Sequence, residues 1–183
     1  VVSIIATMLL GSILSGSITG DDPYLVGLPL FVGSLSIFAS IIGSLFVRLS
    51  GKNIMGALYK GLIVTGALSA ASFYLISNFI STFYVLLVGL VVTGLIVVIT
   101  DYYTSKRFKP VKEIAKSSTT GHGTNIITGL AISMESTALP VIVIALGMLV
   151  AFIMAGLYGV SLAAMSMLSL AGIIVAIDAF GPI

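Results

Sequence analysis

Three carboxylates are the residues of this chain best able to do chemistry. Asp101, Glu135 and Asp178 each lie in or beside a long apolar run. An ionised carboxylate inside a bilayer is costly, so it faces a partner or a water-filled cavity. Glu135 stands well inside its run. It reads either as a hydrogen-bond anchor to a neighbouring helix, protonated where burial raises a carboxylate pKa, or as a transport carboxylate. Asp101 precedes Tyr102 and Tyr103 and a basic stretch. There it is either an interfacial carboxylate within an aromatic belt or part of an ion path. Asp178 stands in AIDAFGPI, four residues before Pro182, at a depth suited to lining a pocket open to the cytoplasm. His122, between Gly121 and Gly123, could titrate near neutrality, with Thr120 or Thr124 as a helix cap.

Other chemistries are excluded. There is no cysteine and one histidine, which removes thiolate and multi-histidine zinc sites. No phosphate-binding GxxxxGK[ST] loop and no Gly-x-Ser-x-Gly nucleophile occurs. No carboxylates cluster at metal-binding spacing.

The elements that must position these residues are membrane helices. Of the 183 residues, 58% are hydrophobic and 8% charged, against roughly 25% charged in a soluble domain. The net charge of +2 is too small to suggest nucleic acid. The fold class expected is all-α, a polytopic transmembrane bundle with about six membrane helices, because a spanning helix needs about 20 apolar residues. The runs fall at about 1–18, 25–47, 57–76, 83–102, 123–152 and 156–183. The fifth exceeds what a span needs, which predicts a tilt or a bend near Pro140. The runs do not alternate, which argues against strands. The chain opens at Val1 inside an apolar run and stops at Gly181-Pro182-Ile183. It reads as an internal segment of a longer membrane protein.

Charge sets the orientation. Arg48, Lys52 and Lys60 fall between the second and third runs. Lys106, Arg107, Lys109, Lys112 and Lys116 fall between the fourth and fifth. The positive-inside rule makes both connections, about 48–56 and 104–120, cytoplasmic. Asp21 and Asp22 then face outward, and Asp178 approaches the cytoplasmic end of its helix. Small or polar residues four apart (Gly121, Asn125, Gly129, Ser133, Thr137), with the pairs Gly159–Ala163 and Gly172–Ala176, allow close helix approach in lipid. No internal repeat is evident.

TDYYTS at 100–105, FKPVKEIAKSS, TGHGTNIITGLAISMESTALP, GLYGVSLAAMSMLS and AIDAFGPI, in this order and spacing, resemble the membrane-integral, ion-translocating pyrophosphatases. VVSIIATMLLGS is similar to the end of that family's sixth helix. The resemblance implies that 1–183 is a fragment of a single integral-membrane pyrophosphatase domain, about the sixth to the eleventh helix of about sixteen. The function it implies is hydrolysis of inorganic pyrophosphate, entering as a magnesium complex, coupled to pumping of protons or sodium ions. It also implies a homodimer in a lipid bilayer (the cell membrane in a prokaryote), with K+ as a possible further cofactor. The alternative is a secondary transporter or exchanger without hydrolysis, using Glu135 or Asp178.

Carried over by position, Asp178 is an acidic residue near the pyrophosphate funnel and the candidate catalytic residue. Asp101 replaces the usual Glu of a TEYYT block, and Val2 stands where some proton pumps carry Glu. The run from 123 to 152 lies towards the dimer contact. TGHGTN and SMESTALP lean towards potassium-independent proton pumps. The family's main lysine and aspartate motifs lie outside these residues, so the segment alone is expected to be inactive, with no metal site of its own.

Overall fold

The computed structural model describes residues 1–18, 23–47, 54–77 and 80–180. Asp21, Asp22, Arg48 and Lys52, on which part of the charge reading rests, lie outside the described residues. Among those described there are helices and no strands. A backbone with no water to bond must bond to itself, and a helix does so within one segment. The helices are α1 Val2–Ile18, α2 Pro23–Leu45, α3 Ile54–Ile76, α4 Ile80–Thr104, α5 Lys109–Ser117, α6 His122–Leu168 and α7 Ala171–Phe180. Four of the helical stretches are long and apolar enough to cross a membrane, and α1 contributes a shorter apolar one.

Each of the six expected runs is helical over most of its described residues, but they are divided differently. Pro140, where a tilt or a bend was expected, lies inside α6, and the non-helical backbone is at Ala155 (φ −149°, ψ 24°) and Gly156 (φ 60°, ψ −152°). The conformation at Gly156 is open essentially to glycine alone. Eight residues in an unbroken helix span about 12 Å. Here a Cβ on Gly159 would sit 2.5 Å from the Ala151 carbonyl oxygen, so the chain turns back sharply between them. The sixth run is itself interrupted at Ser169–Leu170, between α6 and α7. The stretch 104–120, expected as a plain loop, contains α5. Lys60, expected in a connection, stands within α3.

Contacts divide the chain into two compact units, Val1–Val91 with Met148–Ile183, and Val92–Gly147. In the first, α2 packs against α1, α3 and α7, and α3 also packs against α7. Leu28, Val32, Ser36, Ala39 and Gly43 form the buried face of α2. Their spacing is that of one helix stripe. Ala57, Leu58, Gly61, Leu62, Thr65, Ser69 and Phe73 are the buried residues of α3 among those described. Glycine brings these faces together, since a Cβ on Gly43 would fall on the Thr65 hydroxyl. Lipid supplies no hydrophobic drive between helices, so such close packing carries the association.

Three hydrogen bonds between helices in this unit, among the described residues, have one logic: a hydroxyl donates to a backbone carbonyl that its own helix cannot satisfy. Pro29 lies inside α2 and is buried. It has no N–H to give the carbonyl four residues back, which is that of Leu25. The Tyr158 hydroxyl donates to Leu25 O at 2.6 Å. Gly11 of α1 lies against the same carbonyl, with room for no Cβ. Ser40 of α2 donates to Ser169 O at 3.1 Å, at the interruption between α6 and α7. Tyr24 donates to Ile76 O at 2.8 Å, at the last residue of α3, where helix carbonyls lack partners.

This logic makes a prediction. Tyr158→Phe leaves a half-buried carbonyl without a donor and is expected to cost about 1–3 kcal/mol. Pro29→Ala restores the missing N–H, so the same Tyr158→Phe change should cost clearly less in the Pro29→Ala background. Denaturant titration in detergent of the four proteins of this cycle measures both steps. Equal costs in the two backgrounds would refute the assignment of Tyr158 as the substitute donor.

Candidate functional site

The described carboxylates Asp101 and Glu135 both belong to the second unit. Asp101 lies in the last turn of α4. The helix ends just beyond it, and Ser105 N–H bonds Asp101 O while Phe108 N–H bonds Ser105 O. This turn swings the following residues back towards the helix end. Arg107 Nη2 thereby comes within 3.6 Å of Asp101 Oδ2, and the Asp101 side chain is 11% exposed. The guanidinium also lies over the Phe108 ring, 5.7 Å from its centre. Phe108 in turn contacts Tyr102 at 5.2 Å between centroids, and Tyr102 meets Tyr103 edge-on at 5.1 Å. Asp101 Oδ1 is buried with no hydrogen-bond partner among the described residues. A carboxylate oxygen has lone pairs to spare, so Asp101 has capacity for a proton or a cation on that side.

Glu135 lies on α6 and is exposed. Its Oε1 accepts a long hydrogen bond, 3.5 Å, from the Tyr103 hydroxyl of α4. At that length the bond is weak. It joins α4 to α6 all the same, and it places both carboxylates near the end of α4, through residues two apart in sequence.

The start of α6 is tied to the end of α5. Thr124 Oγ1 donates to Ser117 O at 3.2 Å, Thr120 Oγ1 to the same oxygen at 2.8 Å, and the two hydroxyls lie 2.8 Å apart. The expected helix caps thus serve carbonyls of α5. Gly121, at φ +140°, makes the turn between them. His122 is exposed at the first position of α6.

Asp178 is on α7, in the first unit; its side chain lies outside the described residues. Among the described residues no three His, Asp or Glu groups converge as a metal site. Sequence reasoning did not single out Arg107 and Tyr103 as partners of the two carboxylates. The Asp101–Arg107 pairing depends on the turn after α4 and has no helical spacing to betray it. Tyr103 was visible as part of an aromatic pair, with nothing to connect it to a residue 32 positions away.

The profile of the family described as inorganic H+ pyrophosphatase matches residues 1–183. The chain is 50% identical to the "Pyrophosphate-energized proton pump 2" of Mycoplana dimorpha, over 93% of this chain and 92% of that one. It is 45% identical to the "K(+)-insensitive pyrophosphate-energized proton pump" of Methanosarcina mazei, over 100% of this chain and 29% of that protein. A Clostridium tetani protein named for a K(+)-stimulated pyrophosphate-energized sodium pump is 42% identical over 99% of this chain, which spans 28% of its length.

Proposed function

The chain belongs to the inorganic H+ pyrophosphatase family, and from that premise we propose that it works as part of an integral membrane pump that hydrolyses inorganic pyrophosphate and moves protons or sodium ions. One observation carries this reading: identities of 42–50% to proteins named as pyrophosphate-energized pumps. We place the segment as about the sixth to the eleventh helix of a longer bundle, with 48–56 and 104–120 on the cytoplasmic side.

The residues have a coherent division of labour under this reading. Pyrophosphate is highly charged and enters as its magnesium complex, so the metal arrives as part of the substrate. The described donors do not form a site for it, and no step is assigned to a metal held here. Asp178 stands near the cytoplasmic mouth, where a carboxylate can orient or deprotonate the attacking water. Asp101 is held by Arg107 and serves as a carboxylate of the ion path or its wall. Glu135, joined to Tyr103, ties α4 to α6.

The relatives divide on the ion and on potassium, one being named K(+)-insensitive and for protons, another K(+)-stimulated and for sodium. TGHGTN and SMESTALP lean towards the first. The homodimer is part of the same reading. The stripe of α6 is supported as its contact by openness within the chain: a Cβ on Gly129 would meet nothing within 4 Å, and Ser133 and Thr137 are exposed.

The decisive experiment reconstitutes the full-length protein in sealed vesicles. Pyrophosphate with magnesium is added outside, and phosphate release, proton uptake and sodium uptake are followed separately, with and without potassium. Phosphate release with uptake of one ion is expected. Ion exchange that proceeds without pyrophosphate, and no phosphate release, would establish the secondary transporter instead.

A further inference from the structure

The short helix α5 has two unlike faces. Pro110 is buried, and Val111, Ile114 and Ser117 are half-buried. Lys109, Lys112 and Lys116 are exposed, at the three- and four-residue spacing of one helix face. With Lys106 and Arg107 just before it, 106–116 holds five cations against one carboxylate, Glu113. The amphipathic pattern explains why the helix forms. It does not explain why the outward face is so one-signed.

The position of α5 does. Its start is held to α4 by the contact of Phe108 with Tyr102 and by the Arg107–Asp101 pair. Its end is held to α6 by the hydroxyls of Thr120 and Thr124 on Ser117 O. Both α4 and α6 belong to stretches long and apolar enough to cross a membrane. Exposed apolar residues begin at once beyond these ties. Ile126 and Ile127 are each 70% exposed and Leu130 63%, in the first turns of α6; Tyr102 is 40% exposed in the last turn of α4. A helix tied at both ends within about a turn of the hydrocarbon boundary cannot carry its lysines far into water. In a bilayer that both helices cross, that is the depth of the lipid headgroups.

We propose that the basic face of α5, formed by Lys109, Lys112 and Lys116, docks the headgroups of anionic phospholipids. The complementarity is of charge and of depth: clustered lysines beside a membrane helix attract an anionic leaflet, and the half-buried apolar face keeps the lysine stems pointing outward. Free phosphate shares the headgroup chemistry. These lysines, however, are exposed along one convex face and do not converge as a phosphate cradle would, so the bilayer is the source to which the proposal commits.

The test uses the full-length protein in phosphatidylcholine vesicles containing trace spin-labelled phosphatidylglycerol or spin-labelled phosphatidylcholine. The fraction of each label immobilised at the protein surface is measured by electron paramagnetic resonance. The native protein should prefer the anionic label by at least about twofold, and salt should weaken this preference. The triple change K109Q/K112Q/K116Q should remove most of it. The triple change to arginine should keep it, which separates loss of charge from loss of fold. Lys60→Gln, a charge removed outside α5, should leave it intact, and excess inorganic phosphate at constant ionic strength should not displace the label. Undiminished preference in the glutamine variant, loss in the arginine variant, an equal loss with Lys60→Gln, or displacement by phosphate would each overturn the proposal.

Discussion

Asp178→Asn in the full-length protein is expected to lower pyrophosphate hydrolysis by about two orders of magnitude or more, the range in which a positioned acid–base group contributes. The exchange keeps size and shape and removes one negative charge and one proton acceptor. Asp178 sits on α7, a helix packed against α2 and α3, and the exchange leaves the backbone of that helix unchanged. Protein level and helicity should therefore match wild type while turnover falls, and ion uptake should fall with it. Initial rates of phosphate release at saturating magnesium pyrophosphate settle the point. Wild-type turnover in the Asn variant would remove Asp178 from the reaction. A rise in KM with kcat unchanged would move it from the chemistry to substrate capture.

The second large effect concerns packing. Gly89→Ala should destabilise the protein by about 1–3 kcal/mol, the usual cost of forcing a methyl group into a filled interface. A Cβ at Gly89 would fall on the Ser166 hydroxyl and the Ala163 carbonyl oxygen. Neither can retreat easily, because Ser166 is fully buried and its hydroxyl is bonded to Ala163 O at 2.9 Å. Gly94→Ala, on the same helix, is the internal control. Nothing lies within 4 Å of the Cβ it would add, and alanine is the better helix former by about 1 kcal/mol. The two variants should thus move thermal midpoints in detergent in opposite directions. Shifts of the same sign and size would show that helix propensity, rather than the contact with α6, governs Gly89.

Much of this architecture is legible in the sequence because a bilayer leaves the backbone few choices. The apolar runs became helices with ends within a few residues of those expected. The change of run between 152 and 156 coincides with the non-helical backbone at Ala155 and Gly156. Pro140 stands within the helix without ending it, because within a membrane segment neighbouring groups can satisfy what a proline frees. Pro29 shows the means, with Tyr158 supplying the donor. The interruption at Ser169–Leu170 had no such flag, since neither residue is a helix breaker and the Ser40 hydroxyl that satisfies Ser169 O is 129 positions away. The short α5 was hidden by its polarity, although Pro110 near its start and the spacing of its lysines were signals in plain view. The carboxylates themselves were visible in the sequence by type. Their partners were not, because the turn after α4 and the meeting of Tyr103 with Glu135 are products of folding.

The three hydroxyl-to-carbonyl bonds that join helices in the first unit, from Tyr158, Ser40 and Tyr24, contain no carboxylate, imidazole or amine. In a medium without water, a helix that moves away from such a tie strands a carbonyl with no other donor to replace the one it loses. Each of these bonds therefore resists the separation of its two helices, and does so without a charged group.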